Sequence, residues 1–207
     1  MSPVVLYGRS AYPPNGARLA AVVVAALGDR HDVRFVVHCA SQEVTAEAAD
    51  FLSQYSHCAT EVRPFTADHD ELTQAVRAAD VVIMPSRGED FGTVPFDAVC
   101  EGVPVLVPDD SGVGAFLADP VFFPAELTGP CLVHHDAGRL PLELWTSRLA
   151  SVLDDLAAAH RRARQIADTI RSMTRTEAGV RALAAALNAM NPALDISVQQ
   201  TPGSGGR

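Results

Sequence analysis

Two acidic residues flank a segment that has the composition of a helix start. Glu89 and Asp97 lie eight positions apart, and Thr93-Val94-Pro95 stands between them, with a proline suited to a first helical turn. A carboxylate accepts hydrogen bonds from two neighbouring hydroxyls. The pair therefore predicts a site for polyhydroxyl groups, one acid at the hydroxyls of a sugar and the other at those of a ribose. The alternative is a solvated loop acid at Glu89 and an ordinary helix-capping acid at Asp97.

The segment before this helix has the residue types of a phosphate-binding turn. Pro85, Ser86, Arg87 and Gly88 close an apolar run, and Gly92 comes directly before the expected helix. A helix that starts at the carboxyl end of a parallel strand presents free N–H groups and the positive end of its dipole. Glycine lets the backbone approach a bound group closely. We therefore expect a diphosphate to dock at this helix start.

Short apolar runs and amphipathic segments alternate along the chain and predict the elements that hold this turn. Six runs rich in Val and Ile are apolar on both faces, as in the strands of a parallel sheet: residues 4–7, 33–38, 60–64, 81–85, 103–107 and 131–134. Helical patterns occupy residues 16–27, 44–55, 70–79, 96–101, 142–159, 160–172 and 176–190. This order predicts an α/β fold, a single Rossmann-like doubly wound domain with a mostly parallel sheet flanked by helices and with C-terminal helices.

The composition excludes several classes of protein. Of the 207 residues, 48% are hydrophobic and 20% are charged, which supports a sizeable core and excludes a disordered chain. The net charge of -9 opposes binding to nucleic acid or to an anionic membrane surface. No apolar stretch approaches the roughly 20 residues of a membrane span. The first residues enter a strand without a basic leader, so we expect a cytoplasmic protein.

The cysteines and histidines show no spacing that favours a metal site. The cysteines lie far apart without a CxxC pair, so we expect reduced thiols in the core. In His134-His135-Asp136, adjacent strand residues point to opposite faces and chelate poorly, and we interpret the run as a loop edge near the ligand cleft. We interpret His38 and the remaining histidines as surface or core residues, and Trp145 as a packing anchor. The four cysteines are Cys39, Cys58, Cys100 and Cys131.

Residues 79–117 resemble the donor-binding segment of the retaining GT-B glycosyltransferases of family 4. The pattern of that family orders a Pro-Ser turn, an acid, a Phe-Gly pair and a second acid before a Gly-x-Pro-Val turn. A weaker likeness extends over nearly the whole chain, so that it resembles the C-terminal, donor-binding domain of such enzymes. The matching residues are Ala79-Asp80, Pro85-Ser86, Glu89, Phe91-Gly92, Asp97-Ala98, Gly102 and Pro104-Val105.

The resemblance implies a role for each matching residue. Glu89 would contact the transferred sugar and Asp97 the ribose, while Arg9 would neutralise the diphosphate leaving group, so that Glu89 and Arg9 would be the catalytic residues. The resemblance implies a nucleoside diphosphate sugar as donor substrate, with no cofactor and no metal. The residues implied in donor binding are Gly8, Arg9, Asn15, Pro85, Ser86, Glu89, Phe91, Gly92, Thr93, Val94 and Asp97.

The sequence departs from the family pattern in its loops. The family carries Gly-Arg-x4-Lys-Gly, in which arginine and lysine jointly hold the diphosphate, whereas here the loop is one residue longer and Asn15 replaces the lysine. Loss of that charge should weaken both donor binding and leaving-group stabilisation. The glycine that commonly follows the second strand is missing, and Val37-His38-Cys39-Ala40 stands there instead.

These features predict one nucleotide-sugar-binding domain over residues 1–192 and a flexible tail over residues 193–207. A GT-B enzyme holds its acceptor on a second Rossmann-like domain. We therefore expect hexosyl transfer only with such a domain or a partner protein, and an inactive domain in isolation. Whether the chain is itself an enzyme is left open. One alternative is a non-catalytic glycosyltransferase-like module for binding, regulation or protein interaction, and another is a sugar-nucleotide epimerase of the same architecture.

Overall fold

Six strands alternate with nine helices in the part of the chain that the computed structural model describes, residues 3–8, 15–40, 45–64, 66, 68–85, 91–134 and 142–190. The strands are β1 Val4–Gly8, β2 Arg34–Ala40, β3 Ala59–Pro64, β4 Val81–Ile83, β5 Val105–Pro108 and β6 Leu132–Val133. The helices are α1 Asn15–Ala25, α2 Thr45–Ser56, α3 His69–Arg77, α4 Thr93–Glu101, α5 Gly112–Ala118, α6 Ala125–Thr128, α7 Leu142–Asp154, α8 Leu156–Met173 and α9 Glu177–Met190.

All six strands run parallel in one sheet with the order β3-β2-β1-β4-β5-β6. The chain starts at the centre, winds outward to β3, returns to place β4 beside β1, and winds outward again to β6. This is the doubly wound arrangement, in which the direction of winding reverses between β1 and β4. The predicted fold class is therefore confirmed.

Alternate residues of β1, β2, β4, β5 and β6 contribute to two separate hydrophobic clusters, one on each face of the sheet. Val5, Phe35 and Ile83 pack on the face that α1, α2 and α7 cover, which we call the α1 face. Leu6 and Val82 pack on the face that α3, α4, α5 and α9 cover, which we call the α4 face. Burial on both faces explains why these strands are apolar throughout. The expectation of a strand buried on both faces is wrong for β3, which lies at the edge of the sheet and has no buried residue.

The helices after the sheet differ in detail from the sequence prediction. The expected boundary between residues 159 and 160 is wrong, because α7 ends at Asp154. Asp155 then caps α8 by accepting a hydrogen bond from the N–H of Ala158 at 2.8 Å. The sequence analysis did not predict α5 and α6. The predicted packing anchor is confirmed, since Trp145 of α7 is fully buried in the cluster of the α1 face.

Three cysteines of the described chain are free thiols. Cys131 is buried, and burial raises the pKa of its thiol to about 11. Cys58 and Cys100 are half-buried and pack against the two core clusters. The expected core placement is thus confirmed for Cys131 and holds in part for Cys58 and Cys100, while the side chain of Cys39 lies outside the described structure. Within the described ranges, no helix combines the length and the apolar character needed to span a membrane.

Candidate functional site

The carboxyl ends of β1 and β4 lie side by side at the centre of the sheet. From β1 the chain passes to α1 on one face, and from β4 it passes to α4 on the other. Ligands of doubly wound sheets bind in the crevice that this divergence opens. Buried Pro85 follows β4 at this edge. The connections 9–14 and 86–90 contain the predicted site residues Arg9, Ser86 and Glu89, which lie outside the described residues.

The first turn of α4 stands at this crevice, and Gly92 sets its backbone. Gly92 precedes α4 with a φ of 90°, in the left-handed region that favours glycine. A Cβ at this position would lie 2.9 Å from Cε of Met84, so a side chain would collide with the residue that follows β4. The N–H groups of a first helical turn, here those of Thr93 and Val94, have no hydrogen-bond acceptor within the helix itself. The turn therefore presents backbone donors and the positive end of the helix dipole to an anion.

The start of α5 holds this turn in place. The carbonyl of Phe91 accepts a hydrogen bond from the N–H of Val113 at 2.9 Å. Ser111 caps α5, because its Oγ accepts from the N–H of Gly114 at 3.0 Å and donates to the carbonyl of Pro108 at 2.8 Å. The close β5–α5 connection thus fixes the residue that precedes Gly92.

Asp97 lies one turn further along α4, on the same side of the helix as Thr93. The side chain is half-buried, and burial raises the pKa of its carboxyl, while nearby His69 at the start of α3 opposes this shift. Within the described ranges, no hydrogen bond to the Asp97 carboxylate is formed. A partly desolvated carboxyl without a partner is typical of a group that meets a ligand.

A row of four residues crosses the carboxyl edge on the α4 face. The strand register places Arg63 of β3 opposite His38 of β2, and His38 opposite Gly8 of β1. Met84 continues the row beyond β4, because it packs in the same cluster as Val82, two residues earlier. Since Met84 also contacts the position of Gly92, the row runs from β3 to the first turn of α4.

His38 is a member of this row to which the sequence analysis gave no functional role. Its side chain is 2% exposed, and neither Nδ1 nor Nε2 has a hydrogen-bond partner in the described structure. Burial lowers the pKa of the imidazole, and the nearby Arg63 guanidinium lowers it further, against opposing effects of Glu71 and Glu61. The ring is therefore a neutral, enclosed group that holds one donor and one acceptor without partners.

The structure brings together some of the predicted residues and leaves others untested. Phe91, Gly92, Thr93, Val94 and Asp97 share the start of α4, and Pro85 lies just before it, while Gly8 ends β1 and Asn15 begins α1. The sequence signal that could have pointed to His38 is a histidine within the largely apolar run of residues 33–38, most of which forms a strand of the sheet. His134 follows β6 and contacts Asp109, whereas residues 135 and 136 lie outside the described structure.

The comparisons with known proteins agree with this architecture. The chain matches a family model described as family 4 glycosyltransferase in conflict systems over residues 2–183. Glycogen synthase of Mycobacterium tuberculosis is 34% identical to this chain over 97 residues, which is 47% of this chain and 21% of that protein. The chain thus spans about a fifth of the length of this curated relative.

Solved structures of glycosyltransferases share the fold. The catalytic domain of cholesterol-alpha-glucosyltransferase from Helicobacter pylori superposes with a TM-score of 0.62 at 13% identity, over 81% of this chain and 97% of that chain. The C-terminal domain of a group 1 glycosyl transferase family protein from Francisella tularensis gives 0.58 at 17% identity, over 83% and 85% of the two chains. The domain is therefore a Rossmann-like domain of the GT-B type.

Proposed function

The chain belongs to the family 4 glycosyltransferases in conflict systems, and from this premise we propose that the domain binds a nucleoside diphosphate sugar at the carboxyl edge of its sheet. The observation that supports this most directly is the start of α4 at the crevice between β1 and β4. There the left-handed Gly92 lets the first-turn N–H groups approach a diphosphate without an intervening side chain.

The diphosphate in this proposal is held mainly by backbone groups of α4. The N–H groups of Thr93 and Val94 donate to its oxygens, and the positive end of the helix dipole stabilises the charge. Asn15, the first residue of α1, replaces the lysine of the family pattern, so these backbone donors and Arg9 carry the interaction. We expect the binding of pyrophosphate alone to be weaker than in a site that retains the lysine.

The carboxylates supply the contacts to hydroxyl groups. Asp97 accepts hydrogen bonds from the ribose, because it lies one turn from the phosphate-binding end of α4 and its carboxylate has no partner in the described chain. Glu89 contacts the transferred sugar. A bound hydroxyl replaces the water that burial withholds from Asp97, which favours the ionised carboxylate.

Transfer of the sugar needs a second domain or a partner protein in this proposal. The acceptor and the closure that excludes water must come from across the crevice. The match to glycogen synthase covers 21% of that protein, which leaves most of the relative beyond the aligned part. The chain alone, incubated with the nucleotide sugar that it binds, should transfer no sugar to an added acceptor, as measured by mass spectrometry of the products.

Calorimetry of the purified chain with UDP, GDP, ADP and their sugar conjugates tests the binding site. A ligand at a hundred times its Kd should also raise the free energy of unfolding by about 2.7 kcal/mol. Gly92→Ala should abolish binding of the preferred nucleotide. Gly102→Ala is the matched control, since Gly102 also has a left-handed φ, 74°, but lies at the opposite end of α4.

Each outcome of this test decides a point. Loss of binding in Gly92→Ala with binding retained in Gly102→Ala supports the site at the start of α4, provided that circular dichroism shows both variants folded. Equal binding by both variants contradicts this placement. Absence of binding across the panel by the folded wild-type chain contradicts the proposed function and favours a module for protein interaction.

A further inference from the structure

His38 combines a position beside the proposed donor site with an unmet capacity for hydrogen bonding. The imidazole is almost fully buried and both ring nitrogens lack partners within the described structure. Burying such a polar group without a hydrogen bond costs free energy, on the order of 1–3 kcal/mol for one group. A hydrophobic side chain at the end of β2 would avoid this cost, as Val36 does two residues earlier.

The row across the α4 face connects His38 to the phosphate-binding end of α4. Met84 lies beside Gly92, and the strand register then leads across Gly8 to His38. Gly8 has only a hydrogen atom in place of a side chain, so β1 contributes no bulk between Met84 and His38. Neighbouring strands lie about 4.8 Å apart, which puts β2 roughly 10 Å from β4 along this row. A diphosphate at α4 carries the nucleoside and the sugar, and either could extend over this distance. The proposed contact of Asp97, which lies near His69 of α3, with the ribose directs the nucleoside towards β2 and β3.

We propose that His38 is a specificity-determining residue that hydrogen-bonds the nucleoside part of the bound nucleoside diphosphate sugar. The inference rests on the proposed function, because it concerns the same site. The ligand then supplies the partners that the protein withholds from the ring.

The chemistry of the ring selects the nucleoside over the phosphates. The neutral imidazole has one N–H donor and one acceptor nitrogen, and Arg63 beside it disfavours the protonated ring. A phosphate offers acceptors only, so it can pair with the N–H of the ring but leaves the acceptor nitrogen without a donor. A nucleobase edge and a ribose hydroxyl both donate and accept, so either can complete the hydrogen bonding of His38. The two sources are distinguished by ligands that lack one of them.

The test compares two substitutions of His38 with four ligands by calorimetry. His38→Leu removes donor and acceptor, while His38→Gln keeps one of each on an uncharged side chain. The ligands are inorganic pyrophosphate, the preferred nucleoside diphosphate sugar, the corresponding nucleoside diphosphate and its 2′,3′-dideoxy form. We expect His38→Leu to weaken the binding of the nucleoside diphosphate about tenfold, because one polar group of the ligand is left unpaired. Pyrophosphate should bind as to the wild type, and His38→Gln should restore most of the affinity.

The stability of the ligand-free protein provides an independent readout. His38→Leu should raise its Tm, because it replaces an unpaired buried ring with an apolar side chain. Weaker binding of the nucleoside diphosphate together with a higher Tm supports the inference. If the histidine were required for folding, the substitution would lower both the affinity and the Tm. If the dideoxy form is insensitive to His38→Leu, the contact is to the ribose, and if it loses affinity equally, the contact is to the base.

Two results overturn the inference. Unchanged affinity of His38→Leu for the nucleoside diphosphate shows that the ring does not contact the ligand, while the donor site itself stands. If His38→Leu binds pyrophosphate and the nucleoside diphosphate more weakly by the same factor, the substitution distorts the site in general and His38 does not recognise the nucleoside. If the folded wild-type chain binds none of the four ligands, the proposed function fails, and this inference fails with it.

Discussion

Around the amino ends of β1 and β4, polar side chains pair within the protein, whereas His38 and Asp97, beside the crevice at the carboxyl edge, do not. The carboxylate of Asp80 accepts a hydrogen bond from the N–H of Val4 at 2.8 Å and so ties β4 to β1. Arg77 and Glu101 form an ion pair of 2.6 Å between the last turns of α3 and α4. These contacts complete the structure, and no ligand is needed to satisfy the groups that form them.

Beside the crevice, two groups of similar chemistry lack such partners in the described structure. His38 at the end of β2 has two unpaired ring nitrogens, and Asp97 on α4 has a half-buried carboxylate without a hydrogen bond. Buried polar groups are ordinarily paired, so unpaired ones call for a reason. Thr128, just before β6, is another buried group of the described chain without a hydrogen-bond partner, so the lack of a partner does not by itself mark a ligand site. His38 and Asp97 differ from Thr128 because they lie beside the crevice where doubly wound sheets bind ligands, and this position is the reason to assign them to a ligand.

The unpaired polar groups are found near the crevice between β1 and β4, where the winding of the sheet reverses, and not along the whole carboxyl edge. At the ends of β5 and β6, Ser111 is paired at both its donor and its acceptor, and Asp109 contacts His134. The polar groups at the ends of β5 and β6 therefore stabilise the fold, because they hold the β5–α5 connection against the start of α4. Unpaired groups occur at β2 and α4, which flank the expected position of the ligand.

The largest expected effect on the free energy of unfolding concerns the β5–α5 connection, which we expect to be essential for stability. In Gly114→Ala the new Cβ would stand 1.9 Å from the carbonyl oxygen of Pro108, so the backbone must move. We expect the free energy of unfolding to fall by about 3 kcal/mol, the upper end of overpacking effects, as measured by urea denaturation. Gly129→Ala is the control, because no atom lies within 4 Å of the added Cβ. Equal stability of the two variants would contradict the close contact.

A smaller effect on stability should follow from the pairing at the amino edge. Asp80→Ala leaves the partly buried N–H of Val4 without its acceptor, which should cost about 2 kcal/mol. Asp80→Asn keeps a carbonyl oxygen and should retain most of the stability. Both variants should bind the preferred nucleotide with wild-type affinity once folded, because the amino edge lies at the opposite end of the strands. A loss of affinity in Asp80→Asn would break the distinction between the edges.

The sequence predicted the fold class and the helix start at the crevice, because both depend on local patterns. Continuous apolar strands indicated a parallel sheet, and the proline and glycine around Thr93 indicated the first turn of α4. The short helix α5 was missed because its glycines resemble a loop, and Ser111 forms its cap only where Pro108 supplies a second partner. Tertiary packing decides such elements, and sequence patterns do not report it.

The candidate site was predictable only in part for the same reason. Asp97 was named from its spacing to Glu89, but its burial against α3 follows from helix packing. His38 received no role, because a single histidine in an apolar strand shows neither its exposure nor its partners. Its unpaired state depends on the register of three strands, which places it opposite Gly8 and Arg63.

The smallest expected effect on stability concerns two acids of α4, which should respond to pH with opposite sign. Burial raises the pKa of Asp97, so the folded state holds that proton more firmly than the unfolded chain does. The hydrogen bond from Arg77 lowers the pKa of Glu101, so folding there favours the ionised acid. Acidification should therefore add stability through Asp97, from its folded-state pKa down to its ordinary value. It should remove the stability that Glu101 contributes once the pH falls below the ordinary value of that acid.

Urea denaturation of Asp97→Asn and Glu101→Gln between pH 7 and about 3.5 separates the two contributions. At pH 7 Asp97→Asn should be at least as stable as the wild type, and it should lose this advantage as the pH falls. Glu101→Gln should be the less stable protein at pH 7 and should approach the wild type in acid. Asp97→Asn should also bind the preferred nucleotide about tenfold more weakly, because it loses a charge-assisted hydrogen bond. Glu101→Gln should bind the nucleotide with wild-type affinity. If Asp97→Asn is destabilised at pH 7 and binds normally, Asp97 is paired within the protein like Glu101, and the distinction between the two edges fails at this residue.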